Sequence, residues 1–511
     1  MKKILLFLSL FAGLFFSCDD YLTKYPLNYV DESNFWKTKE HAVQGVTAVY
    51  ASLQSVYGNY VLNDMYSPIA DETSNGDVNL GLHTARNSSF KDKWEILYRG
   101  INRANVAMEK IVDIDMDQTL KERLIGECKF LRALYYFNLI DFWGDVPLYL
   151  EEITVQNANK GRTPVEEIRS AIIKDLDDAI KVLDIKYETS ETGRATKGAA
   201  IALKGKVYLY AGDYQKAVEM FEELVNNSDT YQYGILDNYA DVFDYHNKNN
   251  KEVVFDVQYL GPKTGEGGSL DYWLGNLSCN GTGSTNTSCP TVELLDSYLC
   301  TNGLPITDSA SGYDPANRYA NRDKRMDITV MRPGTKFKGL DYVFPLQAGD
   351  YVKGRTRTGL MWRKYVVEDD GSAWGDDNQN YIVIRYADVL LMYAEAKNEL
   401  LGTPDVSIYN ALNCLRERAG VKAIDISSKS KDEMRQLIRN ERMIELAGEG
   451  IYYSDIRRWK VAASMLNGRS FKNLLGEVYT TRVFDEKKHY LWPIPQTEME
   501  MNKALIQNPG F

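Results

Sequence analysis

Residues 194–227 read RATKGAAIALKGKVYLYAGDYQKAVEMFEELVNN, and their spacing decides the fold. Apolar and small residues recur every three or four positions through 194–211 and again through 213–227, which predicts two helices meeting at a break beside Gly212. Gly205 and Ala217 are small where the two helices approach. Tyr208 and Phe221 are large enough to fill the groove beside them, so both are expected in the core of a helix hairpin.

Outward from this hairpin the same pattern returns in weaker form. Segment 127–143 carries half of such a unit, with Ala133 and Tyr136, and Ala179 and Leu183 supply the other half much later. Segment 387–415, with Ala394, Ala411 and Leu415, is a third, degenerate unit. The spacing is that of tetratricopeptide helix pairs, but the units do not recur at the ~34-residue period of a regular array, so long insertions interrupt them. Helical periodicity further predicts helices over 36–57, 91–113, 118–143, 164–184, 380–401, 405–419, 431–449 and 452–466. Extended stretches at 252–259 and 340–346 are too few for a large sheet. Three turn-rich segments remain, at 64–89, 261–290 and 368–379. Loops this long in a compact chain are uncommon and tend to carry function, so the ligand is expected there.

The chain has 511 residues, 60 Lys and Arg against 71 Asp and Glu, and a net charge of −11. Length suggests about three domains or one large one. With 44% hydrophobic residues it is globular, and its acidic balance excludes nucleic acid as a partner, since phosphate binding needs clustered cations. Lys2 and Lys3 followed by the apolar run Ile4–Phe16 form an export leader, too short to span a bilayer, which takes about 20 residues. The run ends at Ser17-Cys18, the pattern of a bacterial lipobox, so Cys18 is expected to be acylated and to anchor the mature chain by lipid alone. Five cysteines remain. Cys128 and Cys414 sit in helical patterns as buried thiols, and a Cys279–Cys289 disulfide closing the long loop is one possibility.

The search for catalytic and cofactor motifs is empty. None of the four histidines stands in a metal-ligand spacing, and neither a nucleophile elbow nor a phosphate-binding loop occurs. DIDMD at 113–117 starts like a calcium loop but has Gln118 where Gly is needed and Leu124 where the bidentate Glu belongs. No cofactor and no metal are expected. The dense charges Arg439, Glu441, Arg442, Glu445, Glu449, Asp455, Arg457 and Arg458 read as an ion-pair network joining helices rather than a catalytic centre.

Taken together, ECKFLRALYYFNLIDFWGDVPL (127–148), RATKGAAIALKGKVYLYAGDYQKA (194–217), VELLDSYLCTNGLPI (292–306), RDKRMDITVMRPG (322–334), IRYADVLLMYAEAKNEL (384–400), ERMIELAGEGIYYSDIRRW (441–459) and PIPQTEMEMNKALIQNPGF (493–511) closely resemble the SusD/RagB family of outer-membrane nutrient-binding lipoproteins of Bacteroidetes. The resemblance implies a mainly α fold of four tetratricopeptide-like helix pairs with long loop-rich insertions and little strand. It implies a leader over 1–17, an N-terminal region over 18–240 with the repeat helices, and a loop-rich region over 241–511 completing the same globular unit. It further implies a surface-exposed, lipid-anchored protein of the outer membrane, a SusC-like TonB-dependent transporter as partner, and binding without catalysis, usually of an oligosaccharide. One departure is Asn302-Gly303, where the family often has Asp-Gly; the turn survives without the charge.

The family's ligand residues vary, so candidate contacts come from loop chemistry. Aromatic faces stack on the apolar faces of sugar rings, while Asn, Asp and Arg hydrogen-bond the hydroxyls. The loops offer Tyr272, Trp273 and Asn276; Trp374; and Asp71, Asn75 and Arg86. The leading function is capture of a nutrient glycan for import. Peptide capture by the same scaffold is the alternative, and a glycan-degrading surface enzyme lacks any motif.

Overall fold

The computed structural model describes residues 35–73, 76–275, 287–337, 339–342, 344, 356–367 and 375–511. The leader, Cys18, Asn75, Asn276, Cys279 and Trp374 lie outside the described residues.

About half of the chain is helical and 8% is strand. Six long helices follow one another: α1 (Lys39–Tyr57), α2 (Ser88–Ile111), α3 (Gln118–Trp143), α4 (Val165–Val182), α5 (Lys197–Ala211) and α6 (Tyr214–Asn226). Their starts are chemically fixed. Thr38, Asn87, Asp117, Thr196 and Asp213 each accept a first-turn backbone N–H that the helix itself leaves unpaired. Each helix packs on the next, and α6 then packs on α8 (Tyr386–Leu400), which in turn meets α9 (Val406–Arg418) and α10 (Lys431–Leu446). The helices thus pair as α1–α2, α3–α4, α5–α6 and α8–α9. The fold is mainly α, as expected.

The hairpin of residues 194–227 has the predicted core. Phe221 and Ala217 are fully buried and Tyr208 is buried at its edge. Gly205 is required there, because a Cβ at that position would lie 2.5 Å from the Phe221 ring. The split unit also closes as expected, with α3 packed on α4. Almost every residue of α3 from Glu127 to Trp143 is buried, which makes it the central strut.

Two helix boundaries depart from the periodicity. The expected helix 380–401 begins instead as β6 (Tyr381–Arg385), antiparallel to β2 (Val253–Val257), before α8 starts at Tyr386. YIVIR is apolar on both faces and β-branched, and with both faces covered it gains more as a buried strand than as a first helical turn. The expected helix 452–466 is interrupted after Arg458, where α11 (Tyr452–Arg458) gives way to a turn with Lys460 at φ 58°, and the chain is helical again over Ala462–Leu466. Of the stretch at 340–346, residues 340–341 form a short strand, and 343, 345 and 346 lie outside the described residues.

The charged cluster is a buried network, as its density suggested. Arg385 pairs with Glu252 at 2.9 Å, Glu445 at 2.6 Å and Glu449 at 2.8 Å. Arg325 joins Glu445 at 2.7 Å, Arg418 pairs with Glu252 and Glu445, and Arg442 joins Asp388 and Asp455. Arg457 reaches Asp141 on α3 at 3.0 Å. Arg439 is the exception, lying over the Trp459 ring. The C-terminal segment locks onto the N-terminal helices: Trp492 stacks between Phe90 and Phe142, with centroids 4.3 and 4.2 Å away, and the Trp143 indole donates to the Pro493 carbonyl.

Candidate functional site

The three turn-rich segments meet. Within 261–290 the chain forms a short helix, α7 (Leu270–Leu274), so Tyr272 and Trp273 sit on a turn of helix rather than in irregular loop. Their rings make an edge contact with centroids 5.0 Å apart, and both side chains are half-buried. Trp273 leans on the hydrophobic core while keeping part of its surface in solvent. The Trp273 carbonyl accepts the Thr287 N–H at 2.9 Å, and the Thr287 carbonyl accepts the Thr73 N–H at 3.0 Å. Just before Thr73, β1 (Ala70–Glu72) pairs antiparallel with β3 (Ser288–Pro290). The 64–89 segment is therefore stitched to the 261–290 segment directly beside the aromatic pair.

The third segment closes from the other side. Gly268 and Asp377 exchange backbone hydrogen bonds of 2.7 and 3.0 Å, and the Asp376 carboxylate accepts the Lys263 N–H at 2.6 Å. The approach is so close that glycine is obligatory: a Cβ on Gly267 or Gly268 would fall 2.0 or 2.5 Å from an aspartate oxygen of this segment. Gly375 packs against Tyr272, and its N–H donates to the buried Asp271 carboxyl at 3.1 Å. Burial and the adjoining Asp377 push the Asp271 carboxyl up to about 8. Beside this clasp a cleft of about 400 Å³ is lined by Tyr50, Gln54, Arg194, Gln258, Leu260 and Glu266. Its Leu260 and Glu266 precede α7 in the same loop-rich stretch of chain.

The remaining expected contacts separate from this centre. Asp71 is buried at 1% exposure, so it is not a surface ligand contact as the loop chemistry had suggested. Its carboxylate accepts from Asn79 at 2.7 Å and pairs with Arg482 at 3.0 Å, and Arg482 also donates to the Ser67 and Ala70 carbonyls. It holds β1 in place, and that role needs burial. Asp64 anchors the start of the same segment, accepting N–H groups of Gly448, Gly450 and Tyr452 at 2.9 to 3.1 Å. Arg86 is exposed in the turn before α2, where the Ala85 carbonyl meets Gln496 of the C-terminal segment. Cys289 is a buried free thiol, and its possible partner Cys279 lies outside the described residues. Among the described residues no group of three His, Cys, Asp or Glu side chains gathers at metal-binding geometry. No described helix is long and apolar enough to cross a membrane. Sequence reasoning missed Asp271 and Asp377, whose one local trace is the glycine run at 265–268.

Paired helices with an aromatic pair held where their connecting loops meet define a helical-repeat scaffold. Residues 251–511 match the model of the SusD family, and residues 19–209 match that of a family described as starch-binding and associating with the outer membrane. A SusD-like protein of Formosa agariphila is 27% identical across 96% of this chain and 95% of its own. A SusD-like carbohydrate-binding protein of Bacteroides fragilis superposes with a TM-score of 0.83 at 28% identity, covering 92% of this chain and all of that one. A laminarin-binding SusD-like protein superposes at 0.72 with 27% identity, over 93% of this chain and all of that one. The chain belongs to the SusD family.

Proposed function

We propose that the protein is a surface-exposed lipoprotein of the outer membrane that binds a nutrient oligosaccharide without catalysis and passes it to a SusC-like TonB-dependent transporter. The observation that carries this reading is the half-buried Tyr272–Trp273 pair at the convergence of three loops. A flat aromatic surface with a polar rim, its backbone fixed by hydrogen bonds to the neighbouring segments and part of its face left in solvent, is suited to stacking on a sugar ring. Asn276 and Trp374, a few residues from α7 and immediately before Gly375, belong to the same proposed surface. Cys18 carries the lipid. The carbohydrate-binding and laminarin-binding relatives support a glycan over a peptide.

Calorimetry with laminarin and starch oligosaccharides, and with a peptide library as control, tests the reading. Saturable binding of a glycan, with the oligosaccharide recovered intact after prolonged incubation, is expected. Binding confined to peptides, or shortened oligosaccharides, contradicts it.

A further inference from the structure

Asp271 and Asp377 come from different segments, the first from the helix that carries the aromatic pair and the second from the segment that bridges to Gly268. Both are buried, at 4% and 0% exposure. The Asp271 N–H donates to the Asp377 carboxylate at 3.1 Å, so the two carboxyl groups lie close together away from water, where like charges repel and one of the two holds a proton. The surroundings decide which. Asp377 accepts the N–H groups of Asp271 and Gln379 at 3.1 and 2.9 Å and has the Lys248 ammonium within Coulombic reach. Among the described residues the donors that meet Asp271 are neutral backbone groups, those of Gly375 and Tyr272. Asp377 is therefore the carboxylate and Asp271 the acid.

We propose that Asp271 and Asp377 are positioning residues for the ligand surface, and that the proton they share clamps α7, with Tyr272 and Trp273, against residues 375–379. This rests on reading the aromatic pair as the ligand surface. Once the proton is released to solvent, two buried like charges face each other across the clasp, and the segments separate. Burial holds that proton on Asp271 up to about pH 8. Among the described residues, the other ionisable groups around the pair are Lys248, Asp256 and Tyr259 from the 248–259 segment, Lys263 and Glu266 on the following loop, and Asp376 beside Asp377. Asp256, raised to about 6 by burial, has already ionised at neutral pH. The clasp is thus closed at neutral pH and opens above about 8, and ligand affinity falls with it.

Hydrogen exchange on the full mature chain between pH 6.5 and 9.5, corrected for intrinsic rates, reads the clasp without any ligand. Peptides covering 269–275 and 375–380 should lose protection above about pH 8, by up to roughly tenfold per pH unit for a one-proton event. Asp271→Asn supplies an N–H in place of the acid O–H, so it should keep protection and show no pH dependence. Asp377→Asn removes the like charge and should do the same. Affinity for laminarin oligosaccharides should fall over the same range in the wild type and stay level in Asp271→Asn. Wild-type protection that is constant to pH 9.5, or an Asp271→Asn protein that loses protection as the wild type does, overturns the shared proton. If protection behaves as stated but no glycan affinity follows it, the clamp stands and the reading of the aromatic pair as a glycan surface falls.

Discussion

Phe221 and Gly205 show how far a single residue can be read. Their spacing in the sequence placed both in a helix–helix contact, and the ring lies where any side chain on Gly205 would stand. Phe221→Ala should cost about 3–5 kcal/mol in denaturant unfolding, through lost burial and the cavity left behind. Asp271 shows the opposite case. Nothing near it in sequence says that Asp377, over a hundred positions away, is its partner, because long-range pairing leaves no local periodicity. His83 adds a consequence for acid stability. It is buried against Phe90 and His489, and burial pushes its imidazole down to about 3. The unfolded chain takes up a proton near pH 6.5 that the folded chain refuses. This group's contribution is therefore intact above about 6.5 and is lost as pH falls toward 3, by about 1.4 kcal/mol per pH unit. Unfolding midpoints of wild type and His83→Leu should diverge less at pH 5 than at pH 7 if His83→Leu is destabilising at neutrality, since the variant lacks that slope.

At the scale of elements, α1 to α6 were legible because apolar and small residues recur at helical spacing through each, and all but α4, which starts after Pro164, have a capping side chain at the start. β6 was not, because YIVIR is apolar on both faces and continues without interruption into the periodicity of α8. A buried strand and a buried helix look alike over five residues. The ion network was legible only in its local half: the 439–458 cluster announced itself, whereas Arg325, Glu252 and Arg385 arrive from distant segments. Arg385, at the end of β6, binds three buried carboxylates, Glu252 just before β2, Glu445 on α10 and Glu449 just beyond it. Arg385→Met should strand those charges and destabilise the protein by about 3–5 kcal/mol, measured by chemical denaturation. The Arg325, Arg385 and Arg418 guanidinium groups hold Glu445 well below the usual carboxylate range. Its depressed value contributes stability at neutral pH that is lost as the carboxylate is protonated in acid.

For the whole molecule, the paired helices form a frame, and the segment around β1 together with those between β2 and β6 builds the site upon it. The C-terminal segment returns to pack Trp492 between Phe90 and Phe142, so the two ends of the described chain stabilise one another. The sequence made the frame readable through its periodicity and the aromatic pair readable through its lack of any. How three loops converge depended on backbone pairing that composition does not encode. Cys18→Ala should release the protein from the membrane fraction or stall its processing, as followed by fractionation; a fully processed variant retained at wild-type level contradicts lipid anchoring. The most direct test of the account is calorimetry of the folded Trp273→Ala protein with the oligosaccharide that the wild type binds. Removing one stacking ring should cost about 1–3 kcal/mol, a loss of roughly 5- to 150-fold in affinity, with helical circular dichroism unchanged. Wild-type affinity in that variant would contradict the placement of the site.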